Sequence, residues 1–284
     1  MKHNNYFKVF TLTSIWAWLS IFVLLSFCMT LIASLLTPNE QTIFSLPFTL
    51  SNYTQLFNLI YVKIFLKSLY LALLCTSICL LLGYPFAYFL TKTNEKYREF
   101  LLILLIIPFW TSSLIRTYAI IAIIKTKGVL NTLLISLGII HHPLQLLFTN
   151  TAVIIGLVYN LLPFMILPLY ANLEKHDQSL IEAAKDLGAT KFTIFKRITL
   201  PLSMPGIISG AILVILPSMT LFYIPDLLGG AKSLLLGNLI EYQFLTAHNW
   251  SQGSATSMLL TLLMGLLLIV YWHSMKKTNT KEFS

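Results

Sequence analysis

Residues 179–201 read SLIEAAKDLGATKFTIFKRITLP, the one long polar interruption in an apolar second half of the chain. Ser179 and Glu182 have the S-x-x-E spacing of a capping box, which starts a helix by satisfying its free N–H groups. Leu180, Ala183, Ala184 and Leu187 follow at helical spacing and form a narrow apolar stripe. Gly188 stands where a helix end calls for positive φ. Thr190 is placed to cap a second helix carrying Phe192, Phe195 and Ile198 as apolar spots, with Lys191, Lys196 and Arg197 leaving it basic. Pro201 and Pro205 are expected to break the chain before the next apolar run. The product is a helix, a sharp turn and a second helix outside the bilayer, too small to bury its own stripe. Such a unit lies on the membrane surface or fills a partner's groove.

Outward from this stretch the chain reads as a membrane protein. Hydrophobic residues make up 57% and charged residues 10%, against about 25% charged in soluble domains. Its 284 residues suit a handful of crossings at about 20 apolar residues each. The net charge of +9 does not point to nucleic acid, because the basic residues sit at the ends of apolar runs, where they set topology. Cys28, Cys75 and Cys79 lie inside apolar runs and read as inert thiols. Cys75 and Cys79 are one turn apart but have no His or carboxylate nearby to complete a metal site. His141 and His142 are adjacent in a loop and read as solvated. No Gly is followed by Lys-Ser or Lys-Thr, and neither H-E-x-x-H nor G-x-S-x-G occurs. The chain is therefore expected to hydrolyse no ATP itself, and to carry no catalytic residue, cofactor or metal.

Six crossings are expected, at residues 11–36, 64–90, 100–124, 146–170, 206–224 and 254–272. The first has the basic start of a signal peptide, but its apolar run is too long and no A-x-A site follows, so it reads as a retained anchor. The second is expected to kink or end near Gly83 and Pro85. Residues 129–140 form an apolar segment too short to span, suited to the interface. Gly206 and Gly210 give the fifth crossing a G-x-x-x-G packing face. Residues 275–284 form a basic tail. Six crossings place both termini on one side, with 13 Lys and Arg there against 5 on the other and Arg116 inside a crossing. The positive-inside rule puts the termini and the 171–204 loop in the cytoplasm.

The opening stretch resembles the EAA loop of ABC importer permeases. Glu182, Ala183, Ala184, Gly188, Ala189, Phe195, Ile198, Leu200 and Pro201 match E-A-A, three residues, G-A, five residues, F, two residues, I, one residue, L-P. The resemblance implies an all-α permease of type I, MetI-like fold: one domain over 1–284, core 64–273, with a cytoplasmic coupling helix docked on an ATPase subunit. Glu182, Ala183, Ala184, Asp186, Gly188 and Ala189 would be the ATPase-coupling residues. The bland alternative is a capped helical hairpin with no partner, which explains Ser179, Glu182 and Gly188 but not the whole pattern.

For the solute, the residues themselves offer Asp226, which follows Phe222 and Tyr223 after the fifth crossing. A carboxylate beside aromatic rings suits a cation, by charge pairing and cation–π attraction. Trp110, Tyr118 and Tyr159 join them on the same logic, although each on its own is equally an interfacial belt residue. Asp226 also reads as a turn cap with Gly229 and Gly230, and Glu241 as a second, solvated carboxylate. Arg116, in PFWTSSLIRTY, is either an anchor reaching the outer interface or a pathway residue. Beyond the loop, LGYPFAYFL (82–90), PFWTSSLIRTY (108–118), IIGLVYNLLPFMILPLY (154–170) and DLLGGAKSLLLGN (226–238) resemble spermidine/putrescine permease subunits. That resemblance implies a second permease chain, an ATPase dimer and a periplasmic polyamine-binding protein as partners, with transport by alternating access. Two rival readings are the same fold importing iron, thiamine or sulfate, and a membrane assembly protein with no transport role.

Overall fold

Backbone groups inside a bilayer have no water to bond, so apolar runs of this length form helices. The computed structural model describes residues 3–37, 45–230 and 233–279. Of the cations counted for topology, Lys2, Lys232 and Lys281 lie outside the described residues, as does the end of the basic tail. Among the described residues, six apolar stretches are long enough to cross a membrane: Lys8–Ser34, Leu59–Lys92, Ser113–Ser136, Asn150–Leu173, Lys191–Thr220 and Trp250–Ile269.

The chain packs as two compact units. The first takes in Met1–Val62 and Leu239–Leu263. It begins with α1 (His3–Ser34), whose side chains from Lys8 to Cys28 are all exposed, as befits a helix facing lipid or a partner. A short antiparallel pair, β1 (Leu36–Thr37) with β2 (Ser45–Phe48), leads to α2 (Ser51–Leu56). Asn52 is buried and donates to the Ser34 and Leu36 carbonyls at 2.9 and 2.8 Å, tying α2 to the end of α1.

The second unit, Lys63–Asn238 with Met264–Ser284, holds every sequence-predicted site residue. Its helices are α3 (Leu59–Lys92), α4 (Glu95–Ile106), α5 (Ser113–Ile124), α6 (Val129–Ser136), α7 (Asn150–Leu173), α8 (Gln178–Asp186), α9 (Lys191–Ile194), α10 (Leu200–Thr220) and α11 (Tyr223–Gly229). A final pair, α12 (Leu236–Glu241) and α13 (Trp250–Asn279), continues the chain. The core is built around α7, which buries Val153, Leu157, Leu161, Met165, Ile166 and Leu169 against residues of α3, α5, α10 and α11. Close approach explains the glycines. A Cβ on Gly210 would meet Met165 Sδ at 2.7 Å, and one on Gly206 would meet Asn172 Cβ at 2.8 Å. The G-x-x-x-G face therefore packs α10 onto α7, as expected from its spacing.

Three element boundaries differ from the sequence expectation. The second crossing, expected to kink or end near Gly83 and Pro85, does not end there: α3 runs on to Lys92 with the proline inside it. The third crossing is not one helix over 100–124. A 3-10 turn at Ile107–Trp110 ends α4, and Thr111 is extended (ψ 146°), so α5 starts afresh at Ser113. Pro108 lies in that turn, where its missing N–H costs nothing. The fifth crossing is not cut off from the polar loop. A π-helical segment, Phe195–Thr199, joins α9 to α10. Pro201 cannot donate to the Arg197 carbonyl, and the wider i→i+5 register accommodates that loss, with Leu200 N–H bonding to Phe195 O.

Candidate functional site

The polar loop between α7 and α10 folds as the sequence suggests, with one change at its start. The cap of α8 is Asp177, not Ser179: Oδ1 of Asp177 accepts from the Ser179 N–H at 2.9 Å. Asp is as good a cap as Ser, and its charge also opposes the helix dipole. These hydrogen bonds, the backbone N–H of Ser179 first and its hydroxyl second, hold the Asp177 carboxyl below the usual carboxylate range. Glu182 is thereby freed from a capping role and stands exposed.

The far end of α8 closes in a Schellman motif. Gly188 N–H donates to Lys185 O at 2.8 Å and Ala189 N–H to Ala184 O at 3.0 Å. The motif demands positive φ at Gly188, which sits at +78°. Thr190 then caps α9, accepting from Thr193 N–H at 3.3 Å, as expected. The spacing between Ala184, Gly188 and Ala189 is thus the spacing of one turn geometry.

The unit is anchored along one side. Ile194 and Thr199 are buried, and Phe195 packs edge-on against Tyr84 of α3 at 5.8 Å. The Tyr84 and Ser203 hydroxyls bond each other at 3.0 Å. His176 Nε2 donates to Leu202 O at 3.1 Å. Arg98, after the start of α4, pairs with Glu174 at 3.1 Å, and Tyr170 donates to the same carboxylate at 2.6 Å. Among the described side chains of α8, Ile181 and Ala184 are the ones partly covered on this anchored side. Leu180, Glu182, Ala183, Lys185, Asp186 and Leu187 are exposed, Leu187 at 88% and the neighbouring Phe192 at 73%. A rigidly held helix thus presents Leu180, Ala183 and Leu187 outward, with Glu182 and Asp186 flanking them. Leu187 and Phe192 were legible as apolar positions in the sequence but not as the most exposed knobs of this surface.

The proposed pathway residues fall in two sets. Near the break before α5, Tyr223 of α11 donates to Ser113 Oγ at 2.9 Å, and Phe222 meets Tyr223 edge-on at 5.9 Å. Arg116, one turn beyond Ser113, stacks over Phe109 at 4.9 Å, and Phe109 meets Phe164 of α7 edge-on at 5.3 Å. Arg116 Nε is buried without a hydrogen-bond partner. Asp226 is exposed one turn after Tyr223 on α11. Trp110, Tyr118 and Tyr159 are exposed, Trp110 at 86%, and no hydrogen bond or ring contact among the described residues joins them to the first set.

Residues 79–275 match the family described as "Binding-protein-dependent transport system inner membrane component". The chain belongs to this family. As a permease of this kind it is a multi-pass inner-membrane component of a transport system, not its ATPase. It is 50% identical, over 281 residues, to "Spermidine/putrescine transport system permease protein PotB" of Salmonella typhimurium, covering 99% of this chain and 98% of that one. It is 52% identical over 270 residues to the protein of the same name from Escherichia coli, covering 95% and 98%. A crystal structure of "a bacterial ABC transporter involved in the import of the acidic polysaccharide alginate" shares the permease fold over 97% of this chain and 96% of that one, with TM-score 0.78 and 17% identity. The fold is therefore the all-α, six-helix permease fold of ABC importers.

Proposed function

We propose that this permease carries polyamines, spermidine and putrescine, inward across the bacterial cytoplasmic membrane, driven by ATP hydrolysis on a separate ATPase dimer. The observation that carries the solute class is the 50% identity, over 99% of the chain, to permeases named for spermidine and putrescine transport. The chemistry of Asp226 beside Tyr223 and Phe222 supports it, since a carboxylate among aromatic rings attracts alkylammonium groups. Arg116, stacked on Phe109, repels such cations and suits a wall rather than a landing site. Trp110, Tyr118 and Tyr159 offer further π faces, toward lipid or toward a second permease chain.

The exposed face of α8 is the coupling surface in this reading. Glu182, Ala183, Ala184, Asp186, Gly188 and Ala189 form or shape it, and ATP-driven closure of the ATPase dimer moves it. A loaded periplasmic polyamine-binding protein docks on the opposite side of the membrane. Both termini are cytoplasmic, as the lysine distribution directs, and residues 1–284 act as one permease domain.

The test is uptake of radiolabelled spermidine by cells lacking this gene, with and without the wild-type chain restored. Restored uptake that putrescine competes for, and iron or thiamine does not, is the expected result. Equal uptake with and without the chain overturns the polyamine assignment and moves the search to other solutes of the same fold.

A further inference from the structure

A cavity of about 370 Å³ lies behind α8, on the side turned away from the coupling face. Lys92, Lys185 and Lys191 line it, and its apolar wall is Ile181, Ile194 and Phe195. No carboxylate lines it among the described residues. A smaller neighbouring cavity shares Lys92 and Ile181 and adds Arg98, but there the guanidinium is already paired with Glu174 at 3.1 Å. In the larger cavity, Lys92 lies 5.8 Å over the Tyr88 ring, and among the described residues no ion pair engages Lys185 or Lys191.

The placement is as informative as the charge. Lys92 is the last residue of the span Leu59–Lys92, and Lys191 is the first of the span Lys191–Thr220. At 34 and 30 residues these spans exceed the about 20 that a hydrocarbon core needs, so the lysines at their ends stand beyond the hydrocarbon, on the headgroup side. A basic rim over an apolar wall at that depth matches a phosphodiester with an acyl chain below it, and basic pockets between helices on the cytoplasmic side hold such headgroups in other membrane proteins. We propose that this cavity binds the headgroup phosphate of an anionic phospholipid, seated between the coupling helix and the end of α3. The lipid would brace α8 from behind while its outer face stays clear. The membrane side rests on the cytoplasmic placement of α8 proposed above.

The test uses the intact transporter assembly purified in detergent, with thermal unfolding followed as lipid is added. Phosphatidylglycerol, phosphatidylcholine and inorganic phosphate are the three probes. Wild type is expected to gain thermal stability with phosphatidylglycerol alone. Each lysine contributes about a fivefold change in lipid affinity, so Lys185→Gln/Lys191→Gln should weaken the response about 30-fold. Both side chains are exposed, so the fold tolerates the change. Lys125→Gln/Lys127→Gln, outside the cavity, should respond as wild type. An equal response to phosphatidylcholine, an equal response to free phosphate, or an undiminished response of Lys185→Gln/Lys191→Gln each overturns the lipid site. A separate readout checks the orientation: Leu187→Cys should resist an impermeant maleimide in intact cells and react in inverted vesicles. Labelling from outside would refute the cytoplasmic placement whatever the lipid response.

Discussion

Gly188 has one requirement, a backbone at φ +78° with no side chain to object. A Cβ there would meet nothing within 4 Å, so any cost of substitution is conformational rather than steric. Residues other than Gly in this region cost on the order of 1–3 kcal/mol, with Asn the least affected and β-branched residues the most. Gly188→Asn should keep most uptake, Gly188→Ala should lose part, and Gly188→Val should lose nearly all at equal expression. A flat series, measured as spermidine uptake per inserted molecule, would detach the turn from coupling. Asp226→Asn removes one charge from an exposed site, where a charge pair contributes about 0.2–1 kcal/mol. It should raise the half-saturating spermidine concentration up to about 5-fold, with Asp226→Glu close to wild type. Unchanged saturation kinetics would remove Asp226 from the pathway.

Asp177 makes a pH prediction of definite sign. Its carboxyl is held below the usual range by the Ser179 N–H. The cap therefore stabilises α8 fully above the ordinary Asp pKa of about 3.9, and this is lost as pH falls through the lower folded value. Hydrogen exchange, corrected for intrinsic rates, should show residues 179–182 losing protection only below about pH 4. The Asp177→Asn variant should show no such step. The sequence offered Ser179 with Glu182 as the cap. Both Asp177 and Ser179 are good caps two residues apart, and only the register of the helix decides between them.

At the scale of elements, the number of crossings was legible because hydropathy depends on long apolar runs. Their boundaries were less so wherever proline stood. Pro85, Pro163, Pro168, Pro205 and Pro217 all lie inside helices. In a membrane, neighbouring helices and local π or 3-10 adjustments absorb the lost hydrogen bond, so proline punctuates less than in soluble proteins. Pro108 stands beside a true break. The pathway was the least legible part, since Tyr223 finds Ser113 across 110 residues of sequence. The α7–α10 contact was legible in the G-x-x-x-G spacing. Gly210→Val, driving carbon into Met165 Sδ at 2.7 Å and its carbonyl at 3.1 Å, should cost about 1–3 kcal/mol. Thermal unfolding in detergent should show a lower Tm for Gly210→Val than for Gly265→Val, where a Cβ meets nothing within 4 Å. Equal values would deny that α10 seats on α7 through this face.

For the whole molecule, one polar helix pair ties chemistry outside the membrane to helices inside it. Its anchored side reaches α3 through Phe195, α10 through His176 and α7 through the Tyr170–Glu174 hydrogen bond, while Leu187 faces away at 88% exposure. A push on that face has a direct mechanical route into the core helix α7 and its partner α10. The measurement that bears on this most directly is ATP-driven spermidine uptake by Leu187→Asp and Glu182→Arg, with inserted protein quantified in the same cells. Both residues are exposed, so the fold should be unchanged to within about 0.5 kcal/mol. Both variants are expected to insert normally, with uptake at or near background. Wild-type uptake by both variants would contradict it, since the exposed face of α8 would then carry no coupling to ATP hydrolysis.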